Sequence, residues 1–128
     1  MTLGDFMSRE VLSVAPEDTI GEAAQRMADA NVGSSVVHEH GRLIGILTER
    51  DLLRAMAERV HPSEARVREW MTAEPVAASE STTADEAARL MIEKGFRHLP
   101  VVEGDRTLGV VSLRDVMRHG LEAEAGSS

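Results

Sequence analysis

"GILTERD" at residues 45–51 and "GVVSLRD" at residues 109–115 are two versions of one phrase, 64 positions apart. Each begins with a glycine, continues through aliphatic residues to a hydroxyl residue, and ends at an aspartate. The similarity extends outward without a gap, because residues 7–54 align with residues 71–118. A solenoid protein stacks three or more shorter units, so two copies of this length do not indicate a solenoid. We therefore predict two similar halves that pack on each other about a pseudo-twofold axis.

Both halves contain the same helix signals. "TIGEAAQRM" and "TADEAARLM" begin with Thr-x-x-Glu, a capping box in which two side chains bind exposed N–H groups of a helix. Apolar residues then recur at helical spacing. We expect these helices to end at Asn31 and at Gly95, because asparagine and glycine best tolerate the left-handed backbone of a helix C-terminus.

Two short aliphatic strands follow each of these helices, around a turn that contains Gly41 or Gly104, and this pattern predicts a β-hairpin. Pro100 has no N–H to donate, so we expect it at a strand start or edge. A second helix is expected to start at Thr48 and at Ser112, and a brief strand before each first helix. The predicted fold class is α/β, with two pseudo-twofold-related β-α-β-β-α repeats packed into one compact module.

The repeat also suggests how the chain divides. We expect a first repeat over residues 1–60, a connection over 61–69 and a second repeat over 70–121. The remaining segment, 122–128, has the polar composition of a disordered tail.

The composition argues against several classes of protein. A net charge of −8 repels nucleic acid and anionic lipid at long range, and two Phe, one Trp and no Tyr leave few rings for base stacking. No apolar run approaches the roughly 20 residues of a membrane span, and we expect no signal peptide. Because there is no cysteine, disulfides and thiolate metal sites are excluded. We predict a cytoplasmic protein that binds neither nucleic acid nor membrane.

The hydroxyl-x-x-Asp pattern of the repeated phrase has two interpretations. Thr48 with Asp51, and Ser112 with Asp115, can simply cap their helices. Alternatively, each carboxylate accepts two hydrogen bonds from a ribose diol, while the hydroxyl and the first-turn N–H groups meet a phosphate or sugar oxygen. The glycine that opens each phrase favours the close approach of another backbone or of a ligand. Arginines also recur at i, i+4 on these helices, as Arg50 with Arg54 and as Arg114 with Arg118. They could flank a phosphate or a dimer seam, but we favour surface charges.

The longer paired segments resemble a known family. "MSREVLSVAPEDTIGEAAQRM" and "MTAEPVAASESTTADEAARLM", with "GSSVVHEHGRLIGILTERDLL" and "GFRHLPVVEGDRTLGVVSLRDVM", look like a tandem pair of cystathionine-β-synthase-type (CBS) domains, the Bateman module. The resemblance covers nearly all of the chain from Leu3 to His119. It implies two strand-helix units that share a core and form two clefts, and a ligand such as AMP, ADP, ATP or S-adenosylmethionine.

Carried over to this chain, the resemblance implies which residues bind. In one cleft Asp51 would hold the ribose hydroxyls and Thr48 would contact ribose or phosphate, with Asp115 and Ser112 in the same roles in the other cleft. The first base pocket would be walled by Val11, Val14, Val36 and Val37. The second would be walled by Pro75, Val76, Pro100 and Val101.

The two clefts are not expected to be equal. In nucleotide-binding relatives, basic residues beside the second strand of one repeat reach phosphates in the site of the other, and here Arg97 and His98 occupy that place. The first repeat has an uncharged Gly-Ser pair at the same offset. Because a phosphate in a partly dry cleft needs charged partners, we predict that the cleft of Thr48 and Asp51 is the better phosphate site. The other cleft would be empty or take a less negative ligand. Alternatively, Arg97 and His98 lie at a solvated strand entrance.

No motif supports catalysis or a metal site. The sequence has no P-loop and no Gly-x-Ser-x-Gly. "HEH" at residues 38–40 offers two histidines, but a metal site needs three or more ligands.

We therefore predict a regulatory sensor of adenine nucleotides that is not an enzyme and requires no cofactor. It would signal through a homodimer or an effector protein of unknown identity. Relatives of this kind usually dimerise through their helices, so the seam is expected at the exposed parts of Leu52, Leu53, Met56, Val116 and Met117. The alternative is a structural or protein-interaction module that binds no nucleotide. A metal-binding protein that uses the histidines is a third, weaker possibility.

Overall fold

The computed structural model describes the backbone of residues 1–127 and the side chains of residues 1–120. In chain order its elements are β1 (Ser13–Val14), α1 (Ile20–Ala30), β2 (Ser34–Glu39), β3 (Arg42–Thr48), α2 (Glu49–Ala57), α3 (Val67–Trp70), β4 (Thr72–Ala73), α4 (Ala84–Lys94), β5 (His98–Glu103), β6 (Arg106–Ser112) and α5 (Leu113–Ser127). A short 3-10 turn, Leu3–Asp5, precedes them. The predicted α/β class is confirmed. Helix α5 enters the segment 122–128, whose side chains lie outside the described residues, so the disordered tail stays a prediction.

The chain forms two compact units that exchange their leading segments. One, the Thr48 unit, consists of residues 11–75, and the other, the Ser112 unit, combines residues 1–10 with residues 76–128. The start of the chain therefore packs with the second copy of the repeat, and the segment leading into that copy packs with the first. The sequence did not indicate this exchange. The repeat boundaries at residues 60 and 70 stay a prediction.

The Thr48 unit is built on a four-stranded sheet in the order β1-β2-β3-β4. Strand β1 is parallel to β2, and the other neighbours are antiparallel. The apolar stripe of α1 packs on the sheet, and α3 closes the core. The buried residues of the core in this unit are Val14, Ala23, Met27, Val37, Leu47 and Val67.

The Ser112 unit repeats this plan with shorter outer strands. Strands β5 and β6 form an antiparallel pair. Single bridges from Ala78 to Val101 and from Ser8 to Val110 stand where β1 and β4 lie in the other unit. The brief strand predicted before each first helix is therefore present in one copy and reduced to one bridge in the other.

The predicted N-caps and C-terminal residues of α1 and α4 are confirmed. Thr19 and Thr83 are the N-caps of α1 and α4, and each side chain accepts a hydrogen bond from the N–H of the glutamate three residues later, at 3.1 Å. The full capping box is present at Thr83, whereas at Thr19 the Glu22 carboxylate accepts from the Thr19 hydroxyl and not from its backbone N–H. Asn31 and Gly95 end these helices with φ angles of 55° and 79°. Asparagine and glycine occupy these positions because the left-handed backbone costs them least.

Pro100 lies inside β5 and yet breaks no ladder bond. Its carbonyl accepts a hydrogen bond from the N–H of Ala78 at 2.9 Å, so its backbone polar groups face away from β6. The missing N–H is therefore on the outer side of the β5–β6 pair, which agrees with the expected edge position.

Candidate functional site

Thr48 and Asp51 form a capping box at the start of α2. The N–H and the hydroxyl of Thr48 donate to Oδ2 of Asp51 at 2.9 and 3.1 Å. In return, the N–H of Asp51 donates to the Thr48 hydroxyl oxygen at 3.3 Å. The capping interpretation of the repeated phrase is thus confirmed for this copy, because each residue satisfies a backbone N–H group that the helix leaves unpaired.

The second carboxylate oxygen of Asp51 is also occupied. Arg54 donates from Nη1 to Oδ1 at 2.8 Å, and its guanidinium lies over the ring of Trp70, 5.7 Å from Cζ to the ring centroid. The Asp51 side chain is only 5% exposed, whereas that of Arg54 is 59% exposed. A buried carboxylate is therefore held between its own helix start and one exposed cation. The interpretation of Arg54 as a surface charge is confirmed, but its pair with Asp51 was not predicted. The Asp-x-x-Arg spacing was the signal that could have indicated this pair.

The equivalent site at the start of α5 is more open. The hydroxyl oxygen of Ser112 accepts the N–H of Asp115 at 3.2 Å, which caps the helix. The Asp115 side chain is 49% exposed, and Nη1 of Arg118 lies 3.9 Å from its Oδ1. At that distance the ion pair is weak, and about half of the Asp115 side chain is exposed to solvent.

An aromatic residue accounts for part of the difference between the two sites. Phe6 occupies the place in the repeat that Trp70 occupies in the other copy. Its ring stacks on His119, with ring centroids 4.4 Å apart and planes inclined by 21°. Trp70 instead lies beneath Arg54. One arginine of the repeat is thus positioned against its aspartate by a cation–π contact, and the Phe6 ring stacks on a histidine instead.

The glycine of each repeated phrase is explained by the chain itself. A Cβ at Gly45 would lie 2.5 Å from Sδ of Met71, and a Cβ at Gly109 would lie 2.6 Å from the carbonyl oxygen of Ser8. In both units the exchanged leading segment therefore crosses directly over the glycine. The expectation that these glycines admit a close backbone approach is confirmed, and no ligand is needed to explain them.

The predicted base-pocket walls are mostly buried within their own units. The first set, Val11, Val14, Val36 and Val37, lies in the Thr48 unit. The second set is divided, because Pro75 belongs to the Thr48 unit, whereas Val76, Pro100 and Val101 belong to the Ser112 unit. Val76 is 41% exposed, Val11 and Pro75 are half-buried, and the other side chains are buried. These pockets stay a prediction.

Arg97 and His98 lie at the entrance to β5. Arg97 is exposed and His98, the first residue of the strand, is half-buried. The carbonyl oxygen of Arg97 accepts the N–H of Leu113 at 2.8 Å, which ties this entrance to the start of α5. Their predicted contact with a phosphate beside Asp51 stays a prediction.

The "HEH" stretch has a structural role in the Thr48 unit. Nδ1 of His38 lies 2.7 Å from the hydroxyl oxygen of Ser13, so the pair links β2 to β1, and burial lowers the pKa of His38. His40 lies in the hairpin turn with a φ of 53°. Within residues 1–120, no group of three or more histidine, aspartate or glutamate side chains is placed to hold a metal ion. Nor does the described part of the chain contain a helix long and apolar enough to cross a membrane.

Comparisons with known proteins agree with this architecture. A family model described as the CBS domain matches residues 3–58 and 67–122. The chain is 33% identical to the CBS domain-containing protein YhcV of Bacillus subtilis, over 97% of this chain and 89% of that protein.

Two solved structures are similar over most of their length. The CBS-domain containing protein ATU1752 from Agrobacterium tumefaciens has a TM-score of 0.86 and 33% identity, covering 93% of this chain and 98% of that one. The CBS domain pair of protein MJ0100, solved in complex with 5′-methylthioadenosine and S-adenosyl-L-methionine, has a TM-score of 0.84 and 27% identity. That match covers 100% of this chain and 98% of the other.

Proposed function

Because this chain belongs to the CBS-domain family, we propose that it is a regulatory module that binds an adenosine compound and catalyses no reaction. The ligand is AMP, ADP, ATP or S-adenosylmethionine. It is recognised by Asp51 with Thr48 and by Asp115 with Ser112. A related domain pair that binds 5′-methylthioadenosine and S-adenosyl-L-methionine supports the choice of ligand class.

The half-exposed carboxylate of Asp115 is the observation that carries this proposal. It stands at the start of a helix beside the Ser112 hydroxyl, and its oxygens have room for further hydrogen bonds. A carboxylate accepts up to about four hydrogen bonds, which suits the two hydroxyls of a ribose. The positive end of the helix dipole also favours a negatively charged group there.

Regulation follows if the ligand binds one conformation or assembly better than another. We propose a cytoplasmic homodimer, formed through helices, that passes the signal to an effector protein. Of the residues expected at the seam, Leu53, Met56 and Met117 are 70%, 61% and 49% exposed. Val116 is buried in the core of its unit, so the expectation that it exposes surface to the seam was wrong. Leu52 is partly buried against the core of its own unit.

A melting scan with AMP, ADP, ATP and S-adenosylmethionine tests ligand binding, with isothermal titration to count sites. A ligand at about 100 times its dissociation constant adds about 2.7 kcal/mol to the free energy of unfolding. We expect a rise in midpoint of roughly 3–6 °C. Asp115→Asn, which keeps the size of the side chain, removes one site, and Glu93→Gln on the exposed side of α4 is the matched control.

The alternative is an interaction module whose sites bind no nucleotide. It is favoured by Asp51, whose carboxylate is buried and has partners on both oxygens. The absence of any shift in the melting midpoint, and of any heat of binding, with all four compounds would decide for this alternative.

A further inference from the structure

We propose that Arg54 makes the Thr48 site selective for phosphorylated adenosine compounds, because a ligand reaches Asp51 only by drawing Arg54 away from it. The inference rests on the proposed function, since it concerns which adenosine compounds bind at one of the two sites. It distinguishes that site from the one at Ser112, where no such exchange is required.

The argument starts from the closed state of Asp51. Its side chain is 5% exposed, Oδ2 accepts two hydrogen bonds from Thr48, and Oδ1 accepts one from Arg54. A ribose diol must therefore displace one of these partners. Displacing Thr48 would uncap α2, whereas Arg54 lies on the surface with a 59% exposed side chain. Arg54 is thus the partner that can leave while the helix start stays intact.

The free energy needed to move Arg54 away from Asp51 depends on the ligand. The guanidinium loses a 2.8 Å charge-assisted hydrogen bond to Asp51 and its position over Trp70. An uncharged nucleoside offers no replacement for the lost carboxylate. A 5′-phosphate does, because a guanidinium binds phosphate oxygens as well as it binds a carboxylate. The site should therefore bind AMP well and adenosine poorly.

The Ser112 site has no strong aspartate–arginine pair that a ligand would have to break. Asp115 is 49% exposed, and Arg118, the counterpart of Arg54, lies 3.9 Å from its carboxylate. The ring that could position this arginine, Phe6, is stacked on His119. A nucleoside reaches this carboxylate without breaking a strong pair, so its affinity here should depend little on a phosphate.

Trp70 makes the Thr48 site observable by itself. It is the one tryptophan of the sequence and lies 5.7 Å from the guanidinium that must move. We would titrate AMP and adenosine while recording Trp70 fluorescence, with isothermal titration in parallel to record all binding. The variants are Arg54→Gln, which removes the charge, Arg54→Lys, which keeps it, and Arg118→Gln as the matched control.

For the unchanged protein we expect AMP to alter Trp70 emission with a dissociation constant at least about tenfold below that of adenosine. In Arg54→Gln the two constants should converge, because AMP binds more weakly and adenosine more tightly. Arg54→Lys should keep part of the preference, and Arg118→Gln should keep all of it.

Three results would overturn the inference. If the preference for AMP survives in Arg54→Gln, or if AMP binds by calorimetry while Trp70 emission stays constant, Arg54 does not select the ligand and only this inference fails. If neither AMP nor any other adenosine compound binds the unchanged protein by calorimetry, the proposed function fails and takes the inference with it.

Discussion

Asp51 and Asp115 occupy the same place in the repeat and have different surroundings. Asp51 is buried, caps α2 through two hydrogen bonds from Thr48, and pairs with Arg54 at 2.8 Å. Asp115 is half exposed, with its arginine 3.9 Å away. The consequences for stability should differ accordingly.

We predict that Asp51→Asn lowers the free energy of unfolding by about 1–3 kcal/mol, because a buried charged acceptor and its cap are weakened together. Asp115→Asn should change it by less than about 0.5 kcal/mol. Urea titrations of the two variants measure both values. Equal losses in the two variants would contradict the assignment of Asp51 as the structural carboxylate.

His38 provides a prediction about pH. Burial lowers its pKa in the folded protein below the usual value of about 6.5, so the unfolded chain binds a proton more readily than the folded one. The neutral ring therefore stabilises the fold above pH 6.5. This contribution is lost as the pH falls from about 6.5 toward the lowered pKa, and it stays constant below that.

The variant His38→Gln should remove this part of the pH dependence of the melting midpoint. His40→Gln, two residues away in the turn, is the control and should leave the contribution of His38 in place. A midpoint that falls equally steeply between pH 7 and pH 5 in His38→Gln and in the unchanged protein would refute the assignment.

At the scale of elements, the packing of the exchanged leading segments requires glycine at positions 45 and 109. A Cβ at Gly109 would lie 2.6 Å from the backbone oxygen of Ser8, and Ser8 forms the bridge to Val110 that joins this segment to β6. The overlap that a Cβ would create at Gly45 is less severe, because the nearest atom there belongs to the flexible side chain of Met71.

We expect Gly109→Ala to destabilise the protein by about 1–3 kcal/mol through overpacking, and Gly45→Ala by less. Gly120→Ala in α5 is the control, because a Cβ there meets nothing within 4 Å and alanine favours a helix. Urea titration measures the three variants, and a neutral Gly109→Ala would show that the leading segment does not cross β6 as described.

Contacts between residues that are close in the sequence could be predicted, whereas contacts between residues far apart in the chain could not. The caps of α1 and α4, and the capping box at Thr48, are contacts between residues three apart, so a short motif specifies them. The exchange of leading segments depends on packing between residues far apart in the chain, and no local pattern encodes it. The difference between Asp51 and Asp115 escaped prediction for the same reason, since it depends on how Trp70 and Phe6 are placed by those segments.

At the scale of the whole molecule, the exposed apolar residues of the second helix in each repeat bear on assembly. Leu53 and Met56 lie three residues apart on α2, so they share one side of that helix, and they are 70% and 61% exposed. Met117, the repeat counterpart of Leu53, is 49% exposed on α5. Their exposed positions on corresponding helices fit the helix-mediated homodimer that we propose.

We predict that Leu53→Glu converts a homodimer to a monomer, because a buried carboxylate without a partner opposes association. Sedimentation velocity at several concentrations measures the change, and the melting midpoint of the unchanged protein should rise with protein concentration. Ile92→Glu is the matched control, because Ile92 is 64% exposed but lies on α4, and this variant should remain a dimer. A monomeric unchanged protein, or a dimer that survives Leu53→Glu, would show that α2 is not the seam.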